Sequence, residues 1–593
     1  MSHPEGIPVL KAVRRVHLWY GFLVLIIIVF GLRLFYLQII QYGHYHQTAL
    51  DQQLKEYQIP AQRGLIEAHD GDSIVPLVLN QTLYTLYVDP RFITNAKNDA
   101  KFVASIIGGD ASVYQKAMQQ PNQYDVLAER IPVNQKDQLM APQKPGLDVE
   151  AQSYRTYPDG SLASQVLGFV NDNGQGTYGI EQVLNNQLSG KPGLLKAITD
   201  VEGVPLPDNQ NNIETAPTAG KNVVLTIDLT LQRQIEQILQ AGLKSSGSSS
   251  GSVIVMNPNN GAIEAMANYP TYDPSQYYTV TDPTLFDNDS VAQQLEVGSV
   301  MKTLTVAAGL DQGVIQPNTT FQDYGAITID GFTITNALTE PSHTISIQDI
   351  LRLSLNTGAV HILEAMGGGQ VDPQARNAWY NYMVNHYQFG KPTGIQQSYE
   401  ASGYVPDPNN GDGQALDLEY ANSVFGQGVS VSMLQLAAAE SAVLNGGTYY
   451  RPNLVDGYAN PSGVVKYSQP TIVKKNIVKP VVGQELAQLM EGVFDSNYTI
   501  YRSHLHSGFN IGGKTGTAQI PVAGGYDPNN YNGTFIGFVG GNSPQYVIAI
   551  LDKQPILPNY EYAGTEAAAP IFGSIVDTLI DSGKVTPITS TQP

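Results

Sequence analysis

At 593 residues the chain is long enough for several domains, and its net charge of −20 excludes nucleic-acid binding by phosphate neutralisation, since no basic run exceeds Arg14-Arg15. It has no cysteine, so neither a disulfide framework nor thiol chemistry is open to it. Ten histidines without cysteine offer little for zinc; the pairs His44/His46 and His504/His506 have a spacing that suits no common metal site and read as solvated or packed side chains.

Every residue from Leu18 to Leu32 is apolar, aromatic or glycine; Arg33 interrupts the run and Leu34 to Leu37 resumes it. A bilayer is crossed by about 20 such residues. The pattern therefore predicts a membrane anchor over residues 16–40, with Arg33 near enough to one end to reach the headgroups. Lys11, Arg14 and Arg15 precede it, which keeps residues 1–15 in the cytoplasm and places the chain from about Gln41 outside. A cleaved signal peptide would have a shorter apolar core and a small-residue cleavage site, and no such site follows Ile40.

Residues 41–218 read as mixed α and β structure without a catalytic set. Residues 84–89 alternate like a strand, and 97–107 and 133–140 form short helices. A Pro/Gly-rich stretch at 216–221 marks a boundary, and a second domain runs over 219–585, leaving a tail at 586–593. It opens with a strand at 223–228 and an amphipathic helix at 229–243, with Leu231, Ile235, Ile238 and Leu239 on one face. The serine-rich Ser245–Gly251 is predicted to be a flexible loop, and 252–256 with 262–267 to form a hairpin. Neither Ser245–Gly251 nor Asn409–Gly413 suggests a function.

The chemistry-bearing stretch is Glu296 to Thr303. Ser299 and Lys302 are three apart, so a helix opening near Ser299 puts both on one face. Serine needs a base to take its proton, and a lysine can be that base only where burial or a neighbouring cation lowers its pKa. By itself S-x-x-K is expected about once by chance in a chain of this length and is as readily a serine near a helix start. Two further motifs follow in order. Ser354-Leu355-Asn356 comes after a helical stretch at 347–353, on a loop facing the site; alone, it is an ordinary helix C-terminal turn. Lys514-Thr515-Gly516-Thr517 starts an edge strand; its lysine and hydroxyls suit a carboxylate, and Gly516 permits close backbone approach.

The succession S-x-x-K, S-x-N, K-T-G resembles the penicillin-binding proteins and class A β-lactamases. The likeness runs from about residue 16 to 580. Arg63-Gly64-Leu65-Ile66 is similar to the family's R-G-x-I-x-D-R-x-G, though Ala68-His69-Asp70-Gly71 replaces D-R-x-G. Arg155 to Pro158, Val166 to Val170 and Gly179 to Glu181 match R-x-Y-P, V-L-G-[FY]-V and G-[IL]-E. Phe425 to Gly428, Gln435 to Ala437 and Asn445 to Gly447 match F-G-Q-G, Q-L-A and N-G-G. Residues 535–539, 546–550 and 567–572 resemble the later strands and final helix. Val297 departs from the family's proline before Gly-Ser, a change expected to alter the start of the helix slightly without touching the chemistry.

The chain thus resembles a class B (monofunctional) penicillin-binding protein. The resemblance implies an α+β architecture: anchor, non-catalytic pedestal at 41–218, and transpeptidase domain with a central antiparallel sheet flanked by helices. It implies D-Ala-D-Ala stem peptides as substrate and covalent capture of β-lactams. Ser299 would be nucleophile, Lys302 base, Ser354 proton relay and Asn356 donor-peptide ligand. Lys514, Thr515 and Thr517 would hold the carboxylate beside Gly516, and the N–H groups of Ser299 and Thr517 would form the oxyanion hole. No metal or organic cofactor is implied. A SEDS-family glycosyltransferase and other cell-wall synthesis membrane proteins are the implied partners, in division rather than elongation, which stays as the alternative. A serine β-lactamase needs a deacylating glutamate, and none is singled out; a sensor needs a cytoplasmic signalling part; an inactive scaffold would have lost a motif.

Overall fold

The N-terminal apolar run forms one helix, Val9–Phe35, continued by a π-helical turn, Tyr36–Ile40, in the computed structural model. The structure describes residues 9–45, 48, 54–198, 213–337, 342–409, 415–460, 462–497, 507–522, 525–558 and 562–589; His46, His504, His506 and most of 409–413 lie outside them. Among the described residues Val16–Ile40 is the one helical stretch long and apolar enough to cross a membrane. Its apolar side chains stand exposed.

The chain divides into two compact units. One comprises residues 1–62 and 190–219. Besides the long helix it holds an antiparallel sheet in which Gly193–Ile198 lies between Leu54–Ile59 and Ile213–Thr215.

The other comprises residues 63–189 and 220–593. Its first part runs β1 (Ile66–Asp70), β2 (Ser73–Val88), α1 (Ala96–Ile107), β3 (Asp125–Ile131), α2 (Val133–Met140) and β4 (Leu147–Thr156). Then come β5 (Asn222–Asp228), α3 (Leu229–Ser246), β6 (Ser250–Met256) and β7 (Ile263–Tyr269). The nucleophile candidate precedes α4 (Met301–Gln312), followed by α5 (Ile347–Arg352), α6 (Asn356–Met366), α7 (Met433–Leu444), β8 (Val455–Ala459) and β9 (Val465–Tyr467). The chain closes with α8 (Pro480–Asn497), β10 (Asn510–Val522), β11 (Gly525–Gly540), β12 (Pro544–Lys553) and α9 (Ala569–Asp581).

A seven-stranded sheet has the order β9-β8-β5-β1-β2-β3, with β4 also on β2. The strand after the Pro/Gly-rich stretch therefore lies parallel to β1, which precedes it, and antiparallel to β8. His69, at the place where the family motif has arginine, reaches Asp456 on β8 at 2.9 Å. Three other motif residues of this region, Arg63, Arg155 and Glu181, meet in one cluster. Glu181 is wholly enclosed; its Oε2 accepts from Arg63 Nε and its Oε1 from Arg155 Nε, both at 2.8 Å. Arg63 also donates to Asn185. Residues far apart in sequence are conspicuous as motifs here because one carboxylate holds two guanidiniums.

The central sheet, β7-β6-β12-β11-β10, is antiparallel throughout. Alternation divides its side chains between two cores. Val253, Val255, Phe535, Ile548 and Ile550 pack with Leu231, Ile235 and Leu239 of α3 and Phe572 and Ile575 of α9. Ile254, Met256, Ile536, Phe538, Val547 and Ala549 pack on the opposite face with Met301, Leu304 and Leu434. A sheet covered on both faces has apolar runs, as in β6 and β12.

The serine-rich segment is not a flexible loop. Ser245 and Ser246 complete α3, Gly247 caps it at φ 73°, and Ser250 already belongs to β6. Ser246 Oγ donates to buried Asp552 at 2.7 Å, so the hydroxyls satisfy polar groups at the end of β12 rather than solvent.

Candidate active site

A short 3-10 turn, Gly298–Val300, leads directly into α4. The three-residue spacing then places Lys302 Nζ 2.9 Å from Ser299 Oγ. Ser354 sits between α5 and α6 at φ 56°, a left-handed conformation rare for a non-glycine residue and common at functional sites. Lys302 Nζ meets its carbonyl oxygen at 2.7 Å and its hydroxyl at 3.2 Å. Asn356, the first residue of α6, places Oδ1 2.8 Å from the same nitrogen.

The amide orientation is determined by its other end, because Asn356 Nδ2 donates to the Thr335 carbonyl at 3.0 Å. Both the Ser354 carbonyl and Asn356 Oδ1 can only accept. A neutral lysine has two N–H bonds, which these two acceptors take up, and its lone pair is left for the Ser299 hydroxyl. Burial, reinforced by the charge of Lys514, holds the Lys302 ammonium well below its ordinary pKa. Lys302 has no solvent exposure at all. The arrangement makes Lys302 a proton acceptor poised on Ser299.

Lys514, Thr515, Gly516 and Thr517 lie on β10, the edge of the central sheet, paired on one side only with β11. Burial lowers Lys514 to about 7, and its Nζ donates to the Thr515 carbonyl at 2.8 Å. The strand approaches the turn that carries Ser299 backbone to backbone. A Cβ on Gly298, whose φ is 64°, would stand 2.6 Å from the Thr517 carbonyl; one on Gly516 would stand 2.8 Å from the Val297 carbonyl. Val297 is buried at φ −86° and accepts from Thr534 Oγ1 at 2.8 Å, so valine serves where the family has proline. All eight residues singled out in the sequence thus converge on one region.

Three contributors were not legible in the sequence. The Thr335 carbonyl orients Asn356, but carbonyls leave no motif. Glu440 on α7 accepts from Thr303 Oγ1, on the helix that follows Ser299, at 2.9 Å. Glu296 opens the stretch that holds Ser299, but its contacts with Gly428 and Tyr526 exist only in the folded chain. Among the described residues no group of three or more His, Asp or Glu side chains could hold a metal ion.

Burial pushes the Glu440 carboxyl up to about 8 from 4.5, the hydrogen bond from Thr303 opposing it. A carboxyl whose pKa is raised by folding contributes its stability below 4.5, and that contribution is lost as pH rises towards 8. Glu440→Gln has no proton to lose. It should melt with the wild type at acid pH and above it at pH about 8. A variant melting below the wild type at the alkaline end would contradict the assignment of a neutral acid.

Comparison with known proteins agrees with this geometry. The penicillin-binding protein transpeptidase domain matches residues 251–577, and the penicillin-binding protein dimerisation domain matches residues 58–225. Stage V sporulation protein D of Bacillus subtilis is 30% identical over 570 residues, covering 94% of this chain and 84% of that protein. A peptidoglycan D,D-transpeptidase FtsI homolog of Mesostigma viride is 28% identical over 579 residues, covering 94% and 93%. The crystal structure of penicillin-binding protein 2X from Streptococcus thermophilus superposes with a TM-score of 0.72 at 22% identity, covering 89% of this chain and 80% of that one. The serine–lysine pair, the edge strand beside it and the two domain matches have a common explanation: the chain belongs to the penicillin-binding protein transpeptidase family, in its class B.

Proposed function

We propose that this protein is a membrane-anchored peptidoglycan D,D-transpeptidase of septal synthesis. The observation that carries the reading is the hydrogen-bond set of Lys302, which leaves its lone pair for Ser299. Ser299 Oγ attacks the carbonyl between the two D-alanines of a donor stem peptide while its proton passes to Lys302. Backbone N–H groups of Ser299 and Thr517 face the oxyanion; one such donor is typically worth about 10²–10³ in rate. The intermediate expels terminal D-Ala, protonated through Ser354, and an acceptor amine then attacks the ester, returning Ser299. Asn356 orients the donor peptide. Lys514, Thr515 and Thr517 bind its carboxylate or that of a β-lactam, which acylates the same serine. Relatives carrying the name peptidoglycan D,D-transpeptidase FtsI support the septal assignment.

Residues 16–40 serve as the anchor, with residues 1–15 cytoplasmic and the catalytic unit outside. Residues 41–218 form the pedestal and 219–585 the catalytic domain. The anchor's exposed apolar surface suits a membrane-embedded partner, for which we propose a SEDS-family glycosyltransferase.

Incubation of the intact protein with a fluorescent penicillin tests this. Peptide mass spectrometry is expected to find the adduct on Ser299, and the label to persist for hours. Rapid turnover would indicate a hydrolase; folded protein with no adduct would leave only a scaffold.

A further inference from the structure

Among the described residues no third strand pairs with the distal part of the β10–β11 hairpin. β12 pairs with β11 only over residues 533–540, whereas β10 and β11 pair with each other out to Val522 and Gly525. Ala518 to Val522 and Gly525 to Asn532 therefore form a two-stranded ribbon, and an isolated ribbon is marginally stable at best. It continues directly from Thr515, Gly516 and Thr517, so its freedom is transmitted to the face that receives the substrate.

Side-chain ties hold it, among them Asn532 Oδ1 at its base, which accepts from Gln554 N–H at 3.3 Å. Gln427 Nε2 donates to Gln519 Oε1 at 2.9 Å, and Tyr526 donates its hydroxyl to Glu296 Oε1 at 3.2 Å. Glu296 is itself joined to the turn that carries the nucleophile. Its Oε1 also accepts from Gly428 N–H at 3.0 Å, Leu295 bridges to Val431 on one side of it, and Gly298 N–H reaches the Gly426 carbonyl on the other. Its Oε2 is enclosed with no hydrogen-bond partner. A carboxylate oxygen accepting two hydrogen bonds while the other has none is costly to bury. That cost is expected where the group's placement serves function.

We propose that Glu296 is a positioning residue for acylation: by gripping Tyr526 and Gly428 it locks the ribbon to the nucleophile's turn, keeping the N–H groups of Ser299 and Thr517 on one oxyanion. The proposal rests on the reading of Ser299 as nucleophile. Misplacement of reacting groups by about 1 Å can cost up to 10²-fold in rate.

The test is stopped-flow acylation of the intact protein by a penicillin over a concentration series, separating the saturating rate constant from the noncovalent dissociation constant. E296A is expected to lower the saturating rate about tenfold with the dissociation constant changed less than threefold, while E296Q, which keeps an acceptor oxygen, restores most of the rate. Y526F removes one hydroxyl from a residue 38% exposed, so it tests the tie even if E296A does not fold. It should lower the same rate constant at least threefold, and E296A/Y526F should be no slower than E296A, since both remove one contact. Multiplying effects, an unchanged Y526F, or E296Q as slow as E296A would overturn the proposal. A wild type that forms no Ser299 adduct would instead overturn the nucleophile; wild-type and variant proteins labelling Ser299 equally fast would overturn only the clamp.

Discussion

Lys302→Met is expected to lower the second-order rate constant for penicillin acylation by about 10³-fold, within the usual range for loss of a general base. Methionine is of similar length and apolar, so it fills the buried site while removing the nitrogen that lies within hydrogen-bonding reach of Ser299 Oγ, the Ser354 carbonyl and Asn356 Oδ1. Lys302→Arg should be equally slow, because a guanidinium does not give up its proton in this pH range. The pH profile carries the sign. Acylation needs Lys302 neutral, so the rate should fall as pH drops through its depressed pKa. In the proposed mechanism Lys514 binds the carboxylate as a cation, and in the free protein that charge is lost as pH rises through about 7. The two lysines interact, so the limbs of the resulting bell belong to the pair. Acylation of Lys302→Met within tenfold of wild type would remove Lys302 from the mechanism.

Glu181→Gln is expected to destabilise the unit containing residues 63–189 and 220–593 by about 3–5 kcal/mol, the cost of breaking a buried ion pair from one side. The wild-type carboxylate lies fully enclosed between Arg63 and Arg155, whose side chains are 9% and 4% exposed. Glutamine keeps the volume but leaves two guanidiniums in a low-dielectric setting without a counter-charge. The lost Coulomb attraction, rather than a cavity, decides the size of the effect. Thermal and denaturant unfolding measure it. A melting temperature unchanged in Glu181→Gln would mean that water or another group already neutralises the arginines. Because no residue of this cluster belongs to the acylation machinery, penicillin capture by the fraction that folds should proceed at the wild-type rate.

Much of the fold is legible in the amino-acid order because its signals are local. A run with one charge between Leu18 and Leu37 can only be a membrane-length helix or an equivalent apolar segment. The amphipathic pattern at 229–243 and the apolar strands on either side of 257–261 follow from side-chain period alone. The serine-rich stretch misleads for the same reason. Low complexity suggests a loop, but Ser246 is drawn into the interior by Asp552, a residue more than 300 positions away. Similarly, the Pro/Gly-rich composition at 216–221 is visible in the sequence, while the parallel pairing of β5 with β1 across it is not.

The site divides along the same line. Residue types, their order and the one spacing that matters locally, Ser299 to Lys302, are written in the chain itself, because a helical turn converts three residues into one face. The protonation of Lys302 is not, since it depends on complete burial and on Lys514 across the cleft. Nor does the chain's order orient Asn356, whose amide is set by a carbonyl on a neighbouring strand, or show Glu296 joining loop and ribbon. Burial, long-range charge and backbone acceptors exist only once distant segments pack, so it is that packing which determines which of these groups can take a proton and which can only hold another in place.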